Sequence, residues 1–174
     1  MSPAFLARRR ALAAVGLALL TAGCGFQLRR PRPLPFQTLH LAMNPYQELT
    51  AMLKRAIAAG SPGTRLVDVP SEAEAVLSVV ADVQEEAILS LNSEGRVREL
   101  ELRRRFAYRL TDSKGVELAP TGQIVLRREL TFNDSLVLAK DAEKQMLFKD
   151  MQGDLVQQLL RRLALAKAAP TDED

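Results

Sequence analysis

The sequence predicts an α+β fold: one mixed, mostly antiparallel sheet of four to five strands with two helices packed on one face. Three observations predict it. Between Leu77 and Phe132 apolar residues alternate with polar ones, the period of strands covered on one side only. Around Leu49–Ile57 and Leu147–Leu163 the apolar period lengthens to that of a helical face. The chain has 174 residues, 47% hydrophobic and 26% charged, which suits one domain with a core of its own.

The N-terminus precedes that domain. Arg8-Arg9-Arg10, the unbroken small and apolar run Ala11 to Leu20, and Thr21-Ala22-Gly23 read as a secretory signal over residues 1–23, cut before Cys24. The run is too short to cross a hydrocarbon core of about 30 Å as a helix. Cys24 is the single cysteine, so no intrachain disulfide is open to it, and a free thiol is a liability in an oxidising compartment. A lipid thioether accounts for both facts. The expected modification is a covalent diacylglycerol and an N-acyl chain (palmitate or similar) on Cys24, and no other cofactor. The paired arginines leave export by the general or the twin-arginine route open. Residues 1–23 carry three arginines and no acid, so the mature chain holds 21 bases and 21 acids and is neutral. Nucleic acid is excluded as a partner, since duplex binding neutralises many phosphates and no such motif is present.

Each element then follows in order. Residues 24–35 form a lipidated tether, stiffened by Pro31, Pro33 and Pro35. A single domain spans 36–168. Leu39, Leu41 and Met43 alternate as a short strand. Asn44 is the expected N-cap of a helix with Pro45 at its first position, and Leu49, Met52, Leu53, Ala56 and Ile57 share one face. Gly60, Pro62 and Gly63 stop it, and Arg65–Val69 reads as a strand parallel to the first. Leu77, Val79, Ala81 and Val83 alternate in the next strand, and Asn92 to Gly95 make a turn. Then Leu100, Leu102, Phe106, Tyr108 and Leu110 face one way, while Glu99, Glu101, Arg103, Arg105 and Arg109 face the other. Asp112 to Gly115, continued by Pro120-Thr121-Gly122, reads as a long turn before Ile124, Leu126, Leu130 and Phe132. The last helix runs from after Ser135 to about Ala168, and residues 169–174 form an acidic, disordered tail.

Catalytic chemistry is sparse. There is one histidine, His40, expected on a sheet face, and neither a Gly-rich phosphate loop nor metal-ligand spacing. The chain is expected not to be an enzyme. Arg104 and Arg128 break the pattern, each at a position that alternation assigns to the apolar face. A guanidinium there must find an acid, a sheet edge or an external anion, or reach the rim through a bulge.

Cys24-Gly25-Phe26-Gln27-Leu28-Arg29 resembles the start of the mature LptE family (also called RlpB). The run Asn133-Asp134-Ser135-Leu136-Val137-Leu138-Ala139-Lys140-Asp141, with Glu143, Met146, Lys149-Asp150-Met151 and Gln157 to Leu163, resembles that family more specifically. The resemblance implies a sheet with two helices on one side, acting as a plug in the LptD β-barrel of the outer membrane and contacting lipopolysaccharide. It implies outer-membrane localisation, with anchoring to the membrane lipids through Cys24. The family's lipopolysaccharide-binding lysine matches Lys140. Its basic hairpin residue aligns with Ser93, and Arg96 and Arg98 just beyond the turn are the substitutes. The charged sheet face fits a wet barrel lumen and fits a solvated sheet equally. Lys140 by itself reads as a solvated lysine at a helix start. The second expectation for function is a periplasm-facing scaffold of another envelope assembly without a glycolipid site.

Overall fold

The computed structural model describes residues 32–132 and 136–166. The signal segment, Cys24, the tether up to Pro31, Asn133-Asp134-Ser135 and the acidic tail lie outside them. Strand β1 (Thr38–Ala42) leads to helix α1 (Glu48–Gly60) and the short strand β2 (Arg65–Leu66). A turn of 3-10 helix at Pro70–Glu72 precedes three long strands, β3 (Ala75–Leu91), β4 (Val97–Thr111) and β5 (Glu117–Thr131), and helix α2 (Val137–Leu163) ends the fold. The sheet order is β2-β1-β3-β4-β5. β1 runs parallel to both neighbours, and the β3-β4-β5 meander is antiparallel. The expected α+β class is the one observed.

Both helices contribute to one apolar cluster on one side of the sheet. Leu49, Leu53 and Ile57 of α1 and Met151, Leu155, Val156 and Leu159 of α2 meet Leu39, Leu77, Leu102, Phe106, Leu110 and Ile124. Each such fully buried side chain contributes about 1.5–3 kcal/mol relative to exposure. Packing begins at Leu34, within the stretch read as tether: its side chain is 8% exposed and its amide donates to Ser61 Oγ at 3.0 Å. Among the described residues every buried side-chain nitrogen or oxygen has a hydrogen-bond partner.

Three boundaries differ from the sequence reading, each for a local reason. α1 starts at Glu48, with Gln47 rather than Asn44 in the capping position. Asn44 is engaged in a turn of its own: its Oδ1 accepts from Tyr46 N at 3.0 Å, and its carbonyl accepts from Gln47 N and Thr50 Oγ1. The strand expected over Arg65–Val69 keeps only its first two residues. Pro120-Thr121-Gly122 is not a turn but part of β5. Asp112 Oδ1 accepts from Lys114 N and Val116 N, both at 2.8 Å, and closes the hairpin earlier. The register then slips between Tyr108, opposite Gly122, and Leu110, opposite Ala119, which leaves Pro120 and Thr121 as a bulge. A Cβ on Gly122 would lie 2.5 Å from Tyr108 Cζ, so the glycine makes room for the ring.

A second bulge has wider effect. Between Val79 and Ala81 the β3–β4 register shifts, placing Asp82 opposite Phe106 and Gln84 opposite Arg104. Residues directly opposite in an antiparallel pair share a face. The alternation of β3 therefore reverses at Val80, and Asp82, Gln84 and Glu86 turn to the helix side.

Candidate functional site

The expected site residues gather at the end of the sheet remote from β2. Asn92 Oδ1 accepts from Glu94 N at 3.0 Å and Arg96 N at 2.9 Å, and Gly95 takes φ +77°, so the β3–β4 turn is tight, with Arg96 at its base where its carbonyl accepts from Asn92 N at 2.8 Å. Phe132 N donates to the Arg98 carbonyl at 2.8 Å, which brings the exit of β5 to the start of β4. α2 therefore begins at this end. Lys144, one turn after Lys140, reaches β3, its Nζ 3.1 Å from Glu86 Oε1. Lys140, Arg96 and Arg98 share one end of the molecule, brought there by three different elements.

Each cation has an acid beside it. Lys140 Nζ donates to Glu143 Oε2 at 2.8 Å, and its side chain is 18% exposed. Arg96 lies 3.4 Å from Glu94 and Arg98 4.0 Å from Glu99, all of them well exposed. The hydrogen bond with Glu86 is the main cause that raises the Lys144 pKa, partly offset by burial and helped by Asp141.

Around these charges the structure leaves large apolar side chains in the open, which the sequence reading did not single out. Ile88 is 60% exposed and Leu138 87%, with Leu89, Leu91, Leu136 and Val137 also uncovered. Consecutive apolar pairs such as Ile88-Leu89 break strand alternation beside a turn, and that was the available signal.

The two anomalous arginines find acids. Arg104 is 3% exposed on the helix side of the sheet. Its Nε and Nη2 donate to the two oxygens of Asp82 at 2.9 and 2.7 Å, and Nη1 donates to Gln152 Oε1 on α2 at 3.2 Å. Arg128 Nη2 donates to Asp150 at 2.9 Å and to Asp154, hydrogen bonds that raise its pKa. These groups form an ionic layer between sheet and α2.

His40 Nδ1 lies 3.0 Å from the Val67 carbonyl. A carbonyl only accepts, so that nitrogen carries the proton. The ring borders a crevice of about 500 Å³ at the carboxyl ends of β1 and β2, with Asn44, Lys54 and Asp68 around it. Among the described residues no group of His, Cys, Asp or Glu could hold a metal ion, and no helix is long and apolar enough to cross a membrane.

Comparison with known proteins gives a consistent result. The LptE family, described as "Lipopolysaccharide-assembly", matches residues 36–163. A Pectobacterium atrosepticum protein named LPS-assembly lipoprotein LptE is 30% identical over 160 residues, covering 86% of this chain and 82% of its own. A Yersinia enterocolitica protein of the same name is 28% identical, covering 89% and 75%. The solution structure of lipoprotein B from Nitrosomonas europaea superposes with a TM-score of 0.69 at 40% identity, covering 80% of this chain and 90% of that one. The crystal structure of rare lipoprotein B from Shewanella oneidensis gives 0.63 at 27% identity, covering 73% and 93%. With a sheet-and-two-helix domain of the same architecture and a family match across nearly all of its described residues, the chain belongs to the LptE family.

Proposed function

We propose that this protein is a non-catalytic lipoprotein component of the outer-membrane lipopolysaccharide translocon. In this reading it plugs the LptD barrel, assists the barrel's assembly and binds lipopolysaccharide for insertion at the cell surface. Lipid on Cys24 anchors it to the outer membrane after export. The family and the relatives' names support a role in lipopolysaccharide assembly. The observation that carries the binding step is the coincidence of Lys140, Arg96 and Arg98 with exposed Ile88, Leu91 and Leu136 to Leu138 at one end. Lipid A presents phosphates above packed acyl chains, and cations beside apolar side chains match both parts. The uncovered sheet face, with Glu85, Glu101, Arg103, Arg105, Arg109, Arg127 and Glu129, supports a polar lumen as its surroundings.

Lys140→Asp should weaken lipopolysaccharide binding by about tenfold at low salt, with added salt producing a similar loss in the wild type. Association with LptD should persist, because one surface charge contributes little to a large interface. Unchanged lipopolysaccharide affinity in this variant would remove Lys140 from the site and direct attention to Arg96 and Arg98. For the anchor, intact mass of the membrane-bound form should exceed that of residues 24–174 by the diacylglycerol and N-acyl groups. An unmodified thiol at Cys24 would refute the lipid attachment.

A further inference from the structure

Lys140, Arg96 and Arg98 each stand beside an acid, and the three pairs are not alike. Arg96 and Arg98 are well exposed, and Glu94 and Glu99 lie 3.4 and 4.0 Å from them. Lys140 Nζ donates to Glu143 Oε2 at 2.8 Å, and its side chain is 18% exposed against 50% for Glu143. The carboxylate is the outer partner, so an anion arriving from solvent meets it before it reaches the ammonium. Water and salt screen a pair less where one member is covered, which makes this the firmest of the three.

Helix stability does not account for the pair. α2 has no acid in its first turn, where the helix dipole favours one, and no side-chain cap. Lys140 closes that turn, at the end of the helix where a cation is disfavoured. Lysine before glutamate is also the less favourable order for neighbours on a helix. A cation kept there against the dipole, with a neighbouring acid laid over it, fits a group engaged only part of the time.

We propose that Glu143 is a built-in competitor for Lys140: it holds the ammonium while the site is empty, yields it to a ligand phosphate, and hastens release by reclaiming it. This role rests on the reading of Lys140 as a lipopolysaccharide contact and adds how that contact is undone. Once phosphate replaces the carboxylate at Nζ, Glu143 is left without its partner and beside a like charge, which weakens the bound state. The exposed apolar side chains Ile88 and Leu138 are indifferent to the exchange, so Glu143 lowers affinity without changing where the lipid sits. A component that passes its ligand on needs such a step, and one that stores it does not.

The test measures lipopolysaccharide affinity and dissociation rate at low salt for the mature protein and four variants: Glu143→Gln, Asp141→Asn, Lys140→Gln and Lys140→Gln/Glu143→Gln. Glu143→Gln should tighten binding by about threefold, the scale of one exposed ion pair, chiefly through slower dissociation. Asp141→Asn makes the same change of charge beside Lys144 instead and should give a clearly smaller gain. In the Lys140→Gln background the gain from Glu143→Gln should vanish. Binding unchanged or weakened by Glu143→Gln would overturn the proposal and make the acid a positioning group for Lys140. So would an equal gain from Asp141→Asn, or a gain that persists without Lys140, since either is a general effect of charge. Weaker binding in Lys140→Gln with no gain in Glu143→Gln sinks the release role alone. If Lys140→Gln binds as tightly as the wild type, the Lys140 contact falls and the release role falls with it.

Discussion

Asp82 and Arg104 show how much one backbone irregularity decides. The guanidinium is buried, and it is satisfied only because the bulge at Val80 swings the carboxylate onto the helix side. Removing one partner of a buried pair strands the other in low dielectric. Asp82→Ala should cost about 2–3 kcal/mol in urea unfolding, toward the low end for such pairs because Asp82 itself is 29% exposed. The double variant Asp82→Val/Arg104→Met should lie within about 1 kcal/mol of the wild type, since an apolar pair needs no partner. Additive single and double effects would refute the coupling. The arginines were legible in the sequence as misfits at apolar positions. Their partners were not, because unbroken alternation puts Asp82 on the opposite face, and nothing in Val79-Val80-Ala81 announces an extra residue. Asp150 and Asp154 stand at helical spacing on α2, but matching them to Arg128 requires knowing how the helix lies on the sheet.

α2 is two segments with different fastenings. Its C-terminal half inserts Met151, Leu155, Val156, Leu159 and Leu163 into the core, while its first three turns bury no side chain fully. That N-terminal part is pinned by charge through Lys144 to Glu86, and Arg128 bonds Asp150 and Asp154 where the C-terminal half begins. Lys144 titrates above its usual value of 10.5 because its bonds to Glu86 and Asp141 favour the charged form. A raised folded-state pKa contributes stability that is complete below the unfolded value and is lost as pH climbs through the folded one. Stability should therefore fall on the alkaline side above pH 10.5, and Lys144→Met should remove that part of the slope. The loss at neutral pH should be small, about 0.3–1 kcal/mol, because Glu86 is substantially exposed. Arg128 stays charged across this window and adds no slope. Denaturant titrations of both forms from pH 8 to about 12 would check it, and parallel curves would rule Lys144 out. The apolar stripe made α2 legible from Leu147 onward. The start of α1 was misread because Asn44-Pro45 serves a preceding turn as readily as a helix cap.

At the scale of the molecule, the sheet-and-two-helix layout and the side on which the helices lie were readable from two periodicities. The shared location of Lys140, Arg96 and Arg98 was not, since it depends on β5 ending beside the β3–β4 turn and on α2 folding back from there. Nor was the apolar rim around them: composition tells which residues are apolar, and only tertiary placement tells which of those stay uncovered.

The strand order β2-β1-β3 also bears on how the native state is reached. β1 comes first along the chain but lies between two strands that follow it, whereas β3, β4 and β5 are joined by tight turns. Hairpins of that kind close in about 1–10 μs, and wider loops close later because more chain entropy must be given up. The meander is thus the natural nucleus, and β1 is the strand that threads in beside it. In chevron experiments Leu102→Ala should chiefly slow refolding, and Leu39→Ala should chiefly speed unfolding. The reverse pattern would place the barrier at the parallel pairing instead. Until β1 arrives, the β1-facing edge of β3 is unpaired along its whole length, so the transit from unfolded chain to finished sheet is the interval in which this edge is most exposed to misassembly.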